Sequence, residues 1–404
     1  MIKIVTDEKL IDEILERGVE SIFPSKEELK KKLMSGEKIK LYCGYDPSAP
    51  SLQIGNAVLI NKQAQFQALG HEVIFLIGDF TGMIGDPTDK GAARKKMTRE
   101  EVLINAADYQ KQASGYLNFS NDNAARIMYN SEWLDKITFR DLIEITSNFT
   151  AQQMIARDMF QGRIKESKPI FFHEFLYPIA QAYDSVAMDV DLEIGGNDQM
   201  FNMMCGRDLM KVLNKKEKFV LTMKLLADEK GKKVGKTEGN AIFLNESPEN
   251  MYGQVMAWSD GLIGIGFELC TKVPYEEVRE IYRQLENQDT NPRDLKMKLA
   301  YEITKINHGE EKANEAQDYF IKTIQKKELP EVVAEVKLSK PENIGDFLVM
   351  ANLSASKSDA RRKIEQGGVS IDGDIIKDFK FIVDKEQENK ILKVGKKDFR
   401  KIVF

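Results

Sequence analysis

Cysteine and histidine are scarce in this chain. Three cysteines in 404 residues (Cys43, Cys205, Cys270), none in CxxC spacing, give no basis for a disulfide framework or a zinc site. Three histidines (His71, His173, His308) are too few for a histidine-built metal cluster, so no protein-held metal is expected. No run of 18 or more apolar residues occurs, and the opening MIKIVTDEKL has no signal-peptide pattern. The expectation is a soluble, cytoplasmic protein with no membrane partner. Nor is there a large charge excess, since the net is −5. It is uneven, however. Residues 337–404 carry 15 Lys and Arg against 11 Asp and Glu, a net of +4, while the other 336 residues, with 44 against 53, carry −9. A basic tail on an acidic body fits a polyanion partner for the tail, or equally a solvated surface.

What is present is ordinary in bulk, with 42% hydrophobic and 30% charged residues, and long enough for two or three domains. The informative stretch runs from Lys40 to Gly91. An apolar run over residues 39–45 stops at Asp46-Pro47, where proline cannot donate to a ladder. Helical spacing follows at Ala57, Ile60, Ala64 and Ala68, with Gly70 as the stop, and then a second apolar run over 73–77 breaks at GDFTGMIGDPT. Strand, helix, strand predicts a βαβ unit and a parallel sheet, with ligands beyond the carboxyl ends of the strands. Asp46, Ser48, Gln53, Asn56, Asp79, Thr81 and Asp86 collect there, and the helix start near Gly55 suits a phosphate. Two tight loops of a large α/β domain would present the same pattern.

Three further segments carry polar chemistry. In FLYPIAQAYDSVAM, Tyr177, Gln181 and Asp184 share one face of an otherwise apolar helix, which requires polar partners or a ligand. A strand over 189–194 and the turn GGNDQ (195–199) follow it. LLADEKGKKVGKTEGNAIFL sets Lys232, Lys233, Lys236 and Thr237 among three glycines, a cationic loop suited to polyphosphate or a plain basic turn; Lys230 stands where a Walker A motif needs its first glycine. Lys90 and Arg94, in a basic stretch after the glycine-rich turn, can reach a phosphate if the loop folds over it. The pattern is helical from 248 to about 325, with cap signals at Ser247 and Asn291-Pro292. Beyond a linker near 329–336, the tail reads as two short helices (344–351 and 357–366) and a hairpin turning at Asp372-Gly373. Lys357, Arg361, Arg362 and Lys363 lie along its second helix, placed for RNA phosphates.

Taken together, YCGYDPSAPSLQIGN, GDFTGMIGDPT, YPIAQAYD with GGNDQ, and KVGKT resemble the motifs of bacterial tyrosyl-tRNA synthetases in order, spacing and position along nearly the whole chain, and the tail resembles an S4 RNA-binding domain. The resemblance implies a Rossmann-like α/β catalytic domain over 1–245, a helical anticodon-region domain over 246–328, a linker over 329–336 and a small α+β S4-like domain over 337–404. It further implies tyrosine activation with ATP and Mg²⁺, transfer to tRNA-Tyr, and a homodimer. Carried over by position, Tyr42 and Asp184 would bond the tyrosine hydroxyl. Asp86, Tyr177 and Gln181 would hold the ammonium, with Gln199 beside the amino acid. Asp46, Ser48, Gly55, Asn56 and Asp198 would surround the ATP ribose and phosphates. Gln53, Asn56, Lys90, Arg94, Lys233, Lys236 and Thr237 would act on the polyphosphate. Burying groups that bond a phenol penalises phenylalanine, an asymmetry for which tyrosyl enzymes are themselves the standard illustration.

The first signature departs from the usual His-x-Gly-His, reading Gln53-Ile54-Gly55-Asn56. Asn56 keeps an amide donor where an imidazole N–H would be, whereas Gln53 is always neutral where histidine can be a cation. Exchanging one charge-assisted bond for a neutral one costs about 1–2 kcal/mol, a roughly ten-fold slowing. Three rivals remain open at this stage: a non-catalytic paralogue that binds RNA or tyrosine, a nucleotidyltransferase acting on a small metabolite, and a tryptophanyl enzyme.

Overall fold

The computed structural model describes residues 3–404 apart from 89–96, 229–230, 232, 236–239, 288–289, 326–334 and 396–397. Packing divides the chain into two units, Met1–Ala313 and Asn314–Phe404.

The first unit is built on six strands: β1 (Val19–Phe23), β2 (Lys40–Tyr45), β3 (Glu72–Ile77), β4 (Arg126–Tyr129), β5 (Leu192–Gly196) and β6 (Phe219–Met223). Their order is β1-β6-β5-β2-β3-β4; β2 to β6 run parallel, and β1 closes the β6 edge antiparallel. Counted among the parallel strands alone, this is the doubly wound order 3-2-1-4-5, and it reverses between β2 and β5. β2 and β3 read as continuous apolar runs because the middle of a parallel sheet is covered on both faces. Register places Tyr42 beside Ile74 on one flank and Glu193 on the other.

The helix Ile54–Ala68 crosses from β2 to β3 and buries Ala57, Ile60 and Phe66. Helix Leu176–Met188 leads into β5, and Met200–Leu213 into β6. Three strands were not anticipated. β1 and β4 are short edge strands whose residues are mostly part-buried on both faces, so no period-2 pattern marks them, and β6 directly follows a helix and a short loop. The helices Pro248–Met256, Ile263–Cys270, Tyr275–Asn287 and Pro292–His308 belong to this same unit. Buried Arg17 shows why: its guanidinium donates to the carbonyls of Phe267, Glu268, Thr271 and Val273 at 2.7–3.1 Å. Beside it, Lys62 Nζ donates to the carbonyls of Ile14 and Arg17 at 2.6 and 2.9 Å. Ser247 and Asn291 cap their helices as their positions predict.

The second unit carries β7 (Glu335–Lys337), β8 (Glu342–Asn343), β9 (Val369–Ile371), β10 (Asp374–Ile375), β11 (Ile382–Val383), β12 (Ile391–Val394) and β13 (Asp398–Val403). Five form a sheet in the order β10-β9-β12-β13-β7, and β8 pairs with β11. Helices Ile344–Met350 and Lys357–Glu365 cover a core that includes Phe347, Leu348, Ile364, Leu392 and Ile402. The turn between β9 and β10 falls at Asp372-Gly373, both at positive φ (48° and 94°), as a tight hairpin of that sequence requires.

Candidate active site

A cleft of about 370 Å³ opens at the carboxyl ends of β2 and β5, where the strand order reverses. Among its lining residues are Tyr42, Asp46, Ser48, Gly55, Asn56, Asp86, Tyr177, Gln181, Asp184, Asp198, Gln199 and Lys233. The expected tyrosine and ATP residues that lie within the described chain are thus brought together from five separated segments. Gln53 is not among the lining residues. It caps the helix Ile54–Ala68, and its backbone N–H donates to Asn56 Oδ1 at 2.9 Å. Asn56 is the third residue of that helix, so this bond engages its carbonyl oxygen and leaves its amide N–H₂ as the end able to meet an anion at the helix start. The strip after the cationic loop pairs back here, with Ile54 N donating to Ile242 O and Leu244 N to Leu52 O, both at 2.9 Å. Lys90, Arg94, Lys236 and Thr237 lie outside the described residues.

At the deep end, Tyr42 and Asp184 are both buried, and neither stands alone. Asp184 Oδ1 accepts from Trp133 Nε1 at 2.7 Å and Oδ2 from Asn130 Nδ2 at 3.3 Å. Burial pushes the Asp184 carboxyl well above the usual carboxylate range, against the pull of those two donors. Burial likewise raises the Tyr42 phenol, which therefore stays protonated and can donate. Its hydroxyl lies 2.9 Å from Ser185 Oγ. Cys43 lines the same wall, but burial lifts its thiol to about 12, so it is no nucleophile at neutral pH.

Towards the mouth, Asp46 Oδ2 accepts from Tyr177 OH and Oδ1 from Thr81 Oγ1, both at 2.7 Å. Asn130 Nδ2 also donates to Thr81 Oγ1 at 2.9 Å, so hydrogen bonds run unbroken from Asp184 through Asn130 and Thr81 to Asp46 and Tyr177. Only glycine fits beneath this network, because a Cβ on Gly78 would sit 2.1 Å from Asp46 Oδ1 and 2.4 Å from Thr81 Oγ1. Asp86 is fixed on both oxygens, by Thr88 (N at 2.9 Å, Oγ1 at 2.6 Å) and by Gln199 Nε2 at 2.7 Å. Gln181 Nε2 donates to Glu193 Oε1 at 2.9 Å. Asn130, Trp133, Thr81, Ser185 and Glu193 complete the site; the strand-end pattern includes Thr81 alone of these, and the family resemblance gives none of them a role.

Such a cleft holds carboxylates at one end, a helix start and a lysine at the other, and a strand-order reversal between, which is an arrangement for an amino acid beside a nucleotide. The comparisons agree. Residues 34–325 match the family model for tRNA synthetases class I (W and Y), and residues 321–402 match a tyrosine–tRNA ligase SYY-like C-terminal domain. The chain belongs to the class I tRNA synthetases. Among its relatives in that family is a tyrosine–tRNA ligase of Thermotoga maritima, 44% identical over 390 residues that cover 96% of each chain. Tyrosine–tRNA ligase 2 of Clostridium acetobutylicum is 41% identical over 98% of this chain and 99% of its own. Solved class I synthetases share the fold at lower identity. A truncated mitochondrial tyrosyl-tRNA synthetase of Aspergillus nidulans matches at TM-score 0.64 and 22% identity, over 76% of this chain and 92% of that one. Membership of a synthetase family removes the small-metabolite nucleotidyltransferase reading.

In the second unit, the four basic residues of helix Lys357–Glu365 each have an acidic neighbour: Asp346 for Lys357, Glu365 for Arg361, and Asp359 for Arg362 and Lys363. Exposed pairs of this kind are worth about 0–1 kcal/mol, so they do not prevent the cations from turning to a phosphate.

Proposed function

We propose that this chain is a tyrosine–tRNA ligase: it activates L-tyrosine with ATP to tyrosyl-adenylate and pyrophosphate, then transfers tyrosine to the 3′-terminal adenosine of tRNA-Tyr. Relatives of that name align with it along nearly its whole length. The single observation that carries the choice of amino acid is the deep end of the cleft, where the protonated Tyr42 phenol supplies a donor and the Asp184 carboxyl, whose two oxygens are set as acceptors by Trp133 and Asn130, supplies an acceptor for a substrate phenol. An indole offers one N–H and no acceptor, so the pair fits tyrosine better than tryptophan.

In this reading Asp86, Tyr177 and Gln181 meet the ammonium, and Gln199 steadies Asp86. Asp46, Ser48, Gly55, Asn56 and Asp198 face the ribose and phosphates. The tyrosine carboxylate attacks the α-phosphorus in line, a P–O bond forms as the bond to the β-phosphate breaks, and pyrophosphate leaves. No protein nucleophile is needed. The protein's part is charge and donors placed where negative charge develops, which is the work assigned to Asn56, Lys90, Arg94, Lys233, Lys236 and Thr237. Gln53 acts at one remove, by holding the helix start. Mg²⁺ would come with the ATP, since a hard divalent ion takes phosphate oxygens and water, and would offset negative charge on the polyphosphate.

The tail carries the tRNA through Lys357, Arg361, Arg362 and Lys363, as an S4-like module. The enzyme works as a homodimer in the cytoplasm. Support for the dimer is a run of exposed apolar side chains on one segment between β4 and β5: Phe139, Ile143, Ile164 and Phe172, of which Phe139 and Phe172 are 79% and 78% exposed.

The test is tyrosine-dependent ATP–pyrophosphate exchange on the wild type and on Gln53→His. Exchange in the wild type, raised about ten-fold or less by the histidine, is the expected result. Absence of exchange in both proteins, with tRNA still bound, would overturn the ligase reading in favour of a non-catalytic RNA-binding paralogue.

A further inference from the structure

Beside Tyr42, at the inner wall of the cleft, lies a charged pair that the chemistry above does not use. Lys218, immediately before β6, and Glu193, from β5, are both essentially inaccessible and form an ion pair. Lys218 Nζ also donates to Ser185 Oγ at 2.9 Å, and Ser185 is itself fully buried. The pair therefore touches the site twice, through Ser185 to Tyr42 at 2.9 Å and through Glu193 Oε1 to Gln181 at 2.9 Å. Space has been kept for it: a Cβ on Gly206, in helix Met200–Leu213, would come within 2.5 Å of Lys218 Nζ and 2.9 Å of Ser185 Oγ. Stability alone accounts poorly for such a pair, since replacing buried ion pairs by apolar residues of like volume is often neutral or stabilising.

Proton counting gives the pair a direction. An ammonium only donates, so Ser185 Oγ must accept from Lys218. The one Ser185 proton then has two destinations, Glu193 Oε2 at 3.4 Å or the Tyr42 oxygen at 2.9 Å. Glu193 is already served on one oxygen by Lys218 and on the other by Gln181, and 3.4 Å is long for an O–H···O bond. The proton goes to Tyr42. Tyr42 then accepts on its inner side, and its own O–H has the cleft or the nearby Glu193 carboxylate to turn to; with that carboxylate engaged by Lys218 and Gln181, the O–H turns to the cleft.

We propose that Lys218, held by Glu193 and acting through Ser185, fixes Tyr42 as the hydrogen-bond donor to the substrate phenol, so that the phenol accepts from Tyr42 and donates to Asp184. Lys218, Glu193 and Ser185 are positioning residues for amino-acid selection. Without them the Tyr42 proton can turn inward, and two acceptors would face a phenol that has one proton to give. This inference rests on the assignment of Tyr42 and Asp184 to the substrate phenol.

The experiment is a set of variants in tyrosine-dependent ATP–pyrophosphate exchange, with thermal melting as the control for folding. Ser185→Ala should raise the tyrosine KM about ten-fold, the worth of one hydrogen bond, leave the ATP KM within two-fold, and narrow the preference for tyrosine over phenylalanine by a similar factor. The double variant Lys218→Met with Glu193→Gln removes the source of the polarity without an unpaired charge and should do the same. If Ser185 acts through Tyr42, adding Ser185→Ala to Tyr42→Phe should cost nothing further. Gly206→Ala keeps every member of the relay, favours its helix, and displaces Lys218 Nζ; it reads out the same quantities should Ser185→Ala fail to fold. The inference is overturned if folded variants leave the tyrosine KM unmoved, if tyrosine and ATP KM shift together, or if Ser185→Ala and Tyr42→Phe add. A Tyr42→Phe variant without effect, or a wild type without exchange, would instead overturn the underlying assignment of the site.

Discussion

Asn56→Asp separates the two jobs that Asn56 performs. The substitution is nearly isosteric and keeps an oxygen where Oδ1 now accepts from Gln53 N–H at 2.9 Å. A carboxylate in the first turn also suits the helix dipole, by about 0.3–1 kcal/mol, so the fold should hold or gain slightly. What changes is the other end of the side chain, where an N–H₂ donor becomes an anion. Losing a hydrogen bond to a charged phosphate removes about 1.5–3 kcal/mol. Placing a negative charge near the polyphosphate adds repulsion, about 4 kcal/mol at 4 Å with an effective dielectric constant of 20, and about 1–3 kcal/mol after screening in a cleft open to water. The total, about 3–6 kcal/mol, corresponds to a fall of roughly 10²–10⁴ in the rate of adenylate formation. Pyrophosphate exchange at saturating tyrosine measures it, with thermal melting alongside. Asn56→Ala loses donor and cap together, so its smaller fall, about ten- to hundred-fold, should come with a lower melting temperature. Exchange by Asn56→Asp within three-fold of the wild type, with melting unchanged, would show that the Asn56 amide does not face the phosphates.

Two other perturbations follow from the geometry. Gly78→Ala should lower exchange by about 10²–10⁴, since the new Cβ would lie 2.1 Å from Asp46 Oδ1 and part it from Thr81, and with it from Tyr177, at about 1.5–3 kcal/mol per bond to a charged oxygen; a variant of full activity would mean that this network is dispensable. Buried Lys62 is pulled down to about 7 by burial and by the charge of Arg17, against 10.5 for a free lysine. The unfolded chain therefore binds the extra proton between those values: the cost of burying the charge is carried in full below pH 7 and relieved as pH rises towards 10.5. Wild-type stability measured relative to Lys62→Met in denaturant titrations should rise between pH 7 and 8.5 by up to about 1.4 kcal/mol per unit, and a flat or falling difference would refute the assignment.

How much of this was legible depends on whether a residue's reason lies in its own neighbourhood. β2, β3 and the helix between them could be read because a buried parallel strand is a continuous apolar run and its crossover helix has a 3.6 period, each visible within a dozen residues. Asp46, Asp86, Asp184 and Gln199 were legible because polar residues at strand ends or on a buried helix face need an explanation. The edge strands β1 and β4 were not, since part-buried segments of four or five residues with no alternation carry no pattern of their own. Nor was the inner support of the site. Ser185 is 143 residues from Tyr42, and Lys218 is 25 from Glu193, so no local spacing connects them. A signal was nevertheless present. Glu193 stands inside the apolar strand LEIGG, and Lys218 abuts the apolar strand FVLTM. One carboxylate and one ammonium, each set against a strand destined for the middle of a sheet, cannot both be buried at tolerable cost unless they meet. Adjacent parallel strands β5 and β6 are where they could do so, which makes the pair inferable once the strand order is known and invisible before it.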